Sequence, residues 1–426
     1  MLYIDQPVSV GFSFNEIVAS TLDQLTGLVS PIDSSLGAIS TNTTFVKGLL
    51  PSQDINAFPN TTANAAKVLW RFTQIWLQEF PEHKSSDDRV SIWANSVRDL
   101  STFRTDQADG KQYGGHWGPV TMAHFESQNR KIRNHTLSSP LRNATLIHLD
   151  TLGITNGCVD AKIEAPTYLQ MAINNTYGLQ TITEDDHQSA SNNITKREPF
   201  DISRPSLSVY PPYYTIGFMN QNWVQKDLRA SVNFTLNSNN VANMFLGGTG
   251  DVTVVSIDII NYVAQSGIKV ALVFGDRDYR CNWFGGEAVS LAMEHESSVQ
   301  FRKAGYAPIT TNSTYQGGVV RQYNGTSFSR VFDAGHAVGA YQPETVSKIF
   351  DRVMLNKDVA TGKIGLGDAP YSSEGPVSSF EIKNVLPTPL ENECYTWAVT
   401  DTCTAGQIAA LANGTAVVRD YIVREH

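Results

Sequence analysis

Three side chains have the types that nucleophilic acyl transfer requires: the hydroxyl of Ser96, the carboxylate of Asp278 and the imidazole of His336. Such chemistry needs a hydroxyl to attack, an imidazole to take its proton and a carboxylate to hold that imidazole in the right tautomer. Singly, each has an ordinary explanation: a serine after a strand is usually a turn residue, an aspartate caps a helix, and a lone histidine is a polar surface or core residue. Together they share one context. The run Val90-Ser91-Ile92-Trp93-Ala94 ends at Asn95-Ser96, Ile268–Phe274 (IKVALVF) precedes Asp278, and Phe328–Phe332 precedes Gly335-His336.

A nucleophile on a sharp strand-to-helix turn needs small residues two places before and two places after it. The cluster Tyr113-Gly114-Gly115-His116 offers the glycines, but Gln112 precedes it, and a carboxamide is no nucleophile. Gly110-Lys111-Gln112-Tyr113-Gly114 is therefore a decoy. Joining Ser96 to Tyr113 puts Ala94 two before and Gly114 two after the serine, whereas the written sequence puts Arg98 in the second position. A guanidinium does not fit where helix and strand meet. The expectation is that Ser96 and Tyr113 lie side by side and that Val97 to Gln112 is a retained intron. A valine codon begins GT, Gln112 can be CAG, and Thr105-Asp106 can read ACTGAC.

The elements that must position these residues read as an α/β fold, with a mostly parallel central sheet flanked by helices. Ala63 to Phe80 carries apolar residues at Ala66, Leu69, Phe72, Ile75, Trp76 and Phe80, which is helical spacing, with Pro81 beyond it. Helical spacing returns after Gly115, a strand is expected within Thr145 to Gly157, and a helix over Ile257 to Ala264 stops at Gly267 before the apolar strand Ile268–Phe274. Thr345 to Met354 closes as a helix. Leu2-Tyr3-Ile4 reads as a short buried strand and the stretch to about Asn60 as a polar loop. The order Ser, Asp, His on loops after strands is that of α/β-hydrolases. The division expected is a first part of the core at 1–157, a cap or substrate-pocket insertion at 158–243, a second part of the core at 244–356 and a peripheral tail at 357–426, with one late helix at Ala405 to Leu411.

Composition narrows the class. The chain has 426 residues, 41% of them apolar, and a net charge of -9 without a Lys/Arg-rich block, which argues against nucleic acid; no apolar run is long enough for a membrane span. Asn-x-Ser/Thr sequons at Asn42, Asn60, Asn134, Asn143, Asn174, Asn193, Asn233, Asn312, Asn324 and Asn413 point to a secreted or vacuolar glycoprotein. The first residues lack a signal-peptide pattern, so the expectation is that the sequence starts inside a strand, with the signal and first strands upstream. Cys394 and Cys403 are expected to close a small disulfide loop, Cys158 has no obvious partner, and Cys281 reads as a buried thiol rather than a metal ligand.

The segments Met1–Phe14 (MLYIDQPVSVGFSF), SIWANS, YGGHWGP, NGCVD, VFGDRDYRCNWFGGEAV and FDAGHAVGAYQPE closely resemble the serine carboxypeptidases, α/β-hydrolase peptidases that remove C-terminal residues at acid pH. The resemblance runs from Met1 to about Met354. It implies Asp278 and His336 as triad members, Ser96 as nucleophile, Tyr113 as an oxyanion-hole residue, and Asn95, Cys281, Asn282, Trp283 and Ala337 as substrate-binding positions. Peptide or protein C-termini are the implied substrate, with no cofactor, no metal, no nucleic acid and no membrane span. The chain departs from the family pattern where Asn95 replaces a glutamate and where Ala337 and Gly339 follow the histidine, and the family's Asn-Gly-Gly-Pro-Gly segment is expected upstream of Met1. A catalytically inactive carboxypeptidase-like glycoprotein is the competing expectation, and an esterase on the same fold a weaker one.

Overall fold

The computed structural model describes residues 1–33, 35, 38–80, 87–96, 113–137, 143–182, 197–236, 238–251, 257–367, 369–388 and 392–425. Val97 to Gln112, with Arg98 and the decoy Gln112, lies outside the described residues, as do Pro81 and Asn193.

The strands that were to carry chemistry form one six-stranded sheet. Arg89–Asn95 (β4), His148–Thr155 (β5), Lys269–Gly275 (β8) and Thr326–Val331 (β11) run parallel in that order. Gln316–Tyr323 (β10) and Tyr306–Thr310 (β9) extend the sheet antiparallel beyond β11. After Lys269, strand β8 is apolar because both of its faces are covered. Val270, Leu272 and Phe274 enter one core with Met122, Leu152, Ile154, Ile260 and Val289, while Ala271 and Val273 enter the other with Val331, Ile349 and Val353.

The expected helices are present at Thr62–Glu79 (α1), Gly114–Arg133 (α2), Ile257–Gln265 (α4) and Pro343–Met354 (α6). Ala161–Ile173 (α3) and Trp283–Ala292 (α5) lie among these, and a further helix lies at Ala405–Asn413. In α1 the buried face is only in part the one expected. Ala65, Ala66, Trp70 and Gln74 face inward, and Phe72, Ile75 and Phe80 are exposed. Burial of Gln74 is tolerated because its amide pairs twice with the backbone of Thr145, at 2.7 and 2.9 Å.

Two expectations near the start are corrected. Residues 1–5 are exposed and form no strand: no strand among the described residues pairs with them, and Asp5 instead accepts from the Phe12 amide at 2.9 Å. The stretch read as polar loop contains an antiparallel three-stranded sheet, Ile17–Asp23 (β1), Leu28–Pro31 (β2) and Phe45–Pro51 (β3), in the order β2-β1-β3. Its residues are half exposed, so it shows neither a clean apolar run nor a strict alternation.

Candidate active site

Ser96 follows the last residue of β4 and is 93% removed from solvent, at 7% exposure. Its amide donates to Thr155 O on β5 at 3.1 Å. The first turn of α2 lies against it. A Cβ on Gly114 would come within 2.5 Å of Ser96 N and 2.7 Å of Ser96 Cα, and one on Gly115 within 2.1 Å of Cys158 O. Only glycine permits that approach. Ser96 and the Tyr113-Gly114 step are thus packed together, as the small-residue argument requires. Tyr113 is the N-cap of α2, so the helix's positive end faces the region of Ser96.

Asp278 and His336 are brought together at the ends of β8 and β11. The Asp278 Oδ2 to His336 Nδ1 distance is 2.6 Å, with both side chains buried. Asp278 has more holding it than a partner imidazole. Asn156 Nδ2 donates to the same Oδ2 at 2.6 Å, and the amides of Arg280 and Cys281 donate to Oδ1 at 2.9 and 3.3 Å. Asn156 in turn accepts the Gly275 amide at 2.8 Å and adopts a left-handed φ of 45°. Asn156 adjoins Thr155, the partner of Ser96, so one backbone step links the serine turn to the aspartate. The other imidazole nitrogen, Nε2 of His336, is buried and has no hydrogen-bond partner among the described residues, so the Ser96 hydroxyl does not bond to it. A base awaiting a proton often stands at looser range without substrate.

The turns carrying Asp278 and His336 touch through their backbones. A Cβ on Gly275 would meet Gly335 O at 2.4 Å and Ala334 O at 2.5 Å. The amides of Asp276 and Arg277 donate to Val331 O and Ala334 O at 3.1 and 2.9 Å. The hairpin formed by Arg197–Glu198 (β6) and Asp201–Pro205 (β7) covers both. Phe200 O accepts the His336 amide at 2.8 Å while its ring meets the imidazole edge-on at 5.1 Å, and the Ile202 amide donates to Arg277 O at 2.9 Å.

The cysteine expectations divide. Cys394 pairs with Cys403, as the spacing suggested. Cys158 and Cys281, read as a cysteine without partner and a buried thiol, are bonded to each other across 123 residues. That bridge joins the segment holding Asn156 to the segment holding Asp278. Asp278, Cys281 and His336 lie close enough to resemble a ligand set, but the sulfur is spent in the disulfide and Asp278 already accepts four hydrogen bonds, so a metal does not fit. We expect the Cys158→Ser/Cys281→Ser double variant to lose about 2–5 kcal/mol in urea unfolding. The Cys394→Ser/Cys403→Ser variant should lose less, because the loop it opens spans 9 residues against 123.

The remaining positions are placed as follows. Asn95 is exposed beside Ser96, and Ala337 is half-buried after His336. Asn282 caps α5 by accepting from the Gly285 amide at 3.0 Å, and Trp283 is 1% exposed, stacked on Phe284 with centroids 4.0 Å apart. Cys281, Asn282 and Trp283 are thus committed inside the protein, behind Asp278. Six of the sequon asparagines (Asn42, Asn134, Asn143, Asn174, Asn312, Asn413) are exposed, and Asn60, Asn233 and Asn324 are half-buried. The sequence reading gave no role to Asn156, Phe200, Asp276 or Arg330. Asn156 and Asp276 had a signal, inside the NGCVD and VFGDRDYRCNWFGGEAV segments.

The fold and the paired Asp278 and His336 define a hydrolase of the α/β type. The chain belongs to the serine carboxypeptidase family, whose model, described as "Serine carboxypeptidase", matches residues 1–201 and 173–356. It is 39% identical to carboxypeptidase S1 homolog A of Arthroderma benhamiae, over 100% of this chain and 71% of that protein. It is 31% identical to a carboxypeptidase Y homolog of the same organism, over 99% and 73%. The solved structure of Kex1Δp, a prohormone-processing carboxypeptidase from Saccharomyces cerevisiae, superposes with a TM-score of 0.54 at 17% identity, covering 83% of this chain and 73% of that one. The last likeness bears on fold alone. No helix among the described residues is long and apolar enough to cross a membrane.

Proposed function

We propose that Ser96, His336 and Asp278 form the catalytic triad of a peptidase that hydrolyses the C-terminal peptide bond of peptides and proteins. The observation that carries this reading is the 2.6 Å contact between Asp278 and His336 Nδ1, which leaves Nε2 as the base. Ser96 Oγ attacks the last peptide carbonyl as its proton passes to Nε2; the same proton then goes to the leaving amine, and water, deprotonated in turn by Nε2, releases the acyl group. The Tyr113 N–H at the head of α2 stabilises the oxyanion. Asn95 and Ala337, which flank Ser96 and His336 in sequence, are the side chains we assign to substrate contact; Cys281, Asn282 and Trp283 act from behind, by fixing the Asp278 turn. The sequons support passage through the secretory pathway, to the exterior or a vacuole. The sixteen residues between Ser96 and Tyr113 favour the second reading, an inactive member of the family.

Release of C-terminal amino acids from blocked dipeptides by the form that joins Ser96 directly to Tyr113, with Ser96→Ala as control, is the test. We expect release that the substitution abolishes; release that survives it rejects the triad.

A further inference from the structure

Directly behind the two catalytic turns lies a buried ionic web that touches neither Asp278 nor His336. Its centre is Arg330, on β11, with a side chain 0% exposed. A guanidinium is rarely buried unless its donors are met. Here Nη1 donates to Ser379 O at 2.6 Å, and Nη2 to Thr176 Oγ1 and Asn384 Oδ1 at 2.9 Å and to Ile382 O at 3.1 Å. Nη2 also lies 3.4 Å from Asp276 Oδ2, and the guanidinium stacks 4.3 Å from the Trp283 ring centre. The other oxygen of Asp276 accepts the Tyr177 hydroxyl at 2.7 Å. That hydroxyl is shared with Asp333 Oδ1 at 3.2 Å, which also accepts Arg277 Nη2 at 2.7 Å.

Asp276 stands two residues before Asp278, and Asp333 three before His336. One web therefore ties both turns to the same cation. Three of the acceptors that hold the cation, Ser379 O, Ile382 O and Asn384 Oδ1, come from the irregular segment Ser379–Asn384, well outside the strands of the sheet. We propose that Arg330 and the Ser379–Asn384 arm are positioning elements of the active site, holding the Asp278 and His336 turns in register through Asp276, Tyr177 and Asp333. The proposal rests on the triad reading above and adds to it a part of the chain that looked peripheral.

Acidity is consistent with this geometry. Burial lifts the Asp276 carboxyl to about 6; Arg330, Tyr177 and Arg277 pull it down and Asp333 pushes it up. The folded state thus binds this proton more tightly than the unfolded chain. The web's contribution to stability is full below about pH 4 and declines as pH rises towards 6.

The test is residue-resolved amide exchange on the full chain, reading the amides of Asp276, Arg277 and His336, which are bonded to Val331 O, Ala334 O and Phe200 O. In Arg330→Met we expect these to exchange at least about tenfold faster while the amides of β8 stay within about twofold. Where turnover is measurable, kcat should fall about tenfold to a hundredfold with KM nearly unchanged, and Arg330→Lys should recover part of it. The decline of protection between pH 4 and 6 should vanish in Asp276→Asn. Unchanged exchange at the three amides, or equal acceleration throughout β8, overturns the proposal. Should Arg330→Met fail to fold, Tyr177→Phe decides, since it removes only the shared hydroxyl: the same three amides are expected to open, and unchanged exchange overturns the idea. Absence of turnover in the form that joins Ser96 directly to Tyr113 refutes the triad reading, and the exchange result still decides the positioning role.

Discussion

Joining Ser96 directly to Tyr113 should raise hydrolysis of blocked dipeptides by at least about a hundredfold over the 426-residue chain. The ends to be joined already meet: a Cβ on Gly114 would come within 2.5 Å of Ser96 N. The joined turn puts Ala94 and Gly114 at the two positions where bulk is forbidden and sets the Tyr113 N–H next to the nucleophile, at the positive end of α2. Loss of a single oxyanion donor costs about a hundredfold to a thousandfold in kcat, so the chain with the segment in place should turn over slowly or not at all. Parallel assays of the two forms decide the matter. Equal turnover would show that Val97 to Gln112 is no obstacle to the elbow.

In the form that joins Ser96 to Tyr113, Asp278→Asn should lower kcat by about ten-thousandfold while leaving the fold intact. The direction follows from what surrounds the side chain. Two backbone N–H groups, from Arg280 and Cys281, demand an acceptor at the Oδ1 position, so the amide oxygen of an asparagine settles there. Its NH2 then faces His336 Nδ1, which must accept, and the imidazole proton moves to Nε2, where it blocks uptake of the serine proton. The same NH2 also opposes the Asn156 amide, which donates to Oδ2 at 2.6 Å in the native chain. A kcat within tenfold of wild type would mean that Asp278 does not set the tautomer.

What could be read in advance follows from burial. Strand β8 is covered on both faces, so its apolar run Val270–Phe274 stands out; β4, β5 and β11 mix polar with apolar residues and read less clearly, and the loops after β4, β8 and β11 carry Ser96, Asp278 and His336. Strand β10 was invisible because its sequence includes Gly317, Gly318, Arg321 and Gln322. Arg321 is nonetheless buried, since its guanidinium donates to Ala304 O and Val377 O at 2.8 and 2.6 Å. Contacts of that kind, like the Cys158–Cys281 bridge and the Asp276–Arg330 pair, join residues far apart in sequence. Neither periodicity nor spacing encodes them. Helix α1 illustrates the same limit: the spacing identified the helix, but it took the neighbouring Thr145 backbone to turn Gln74, rather than Ile75, inward.

The hairpin around Phe200 has a mechanical consequence. Pro199 O accepts the amides of Tyr279 and Arg280 at 3.1 and 3.2 Å, Phe200 O accepts that of His336, and Ile202 donates to Arg277. The hairpin is therefore riveted to both catalytic turns at once and cannot swing as an independent flap. Any breathing that lifts it must also release His336 and loosen the ground beneath Asp278, so substrate entry and exit have to follow a route that leaves this rivet closed.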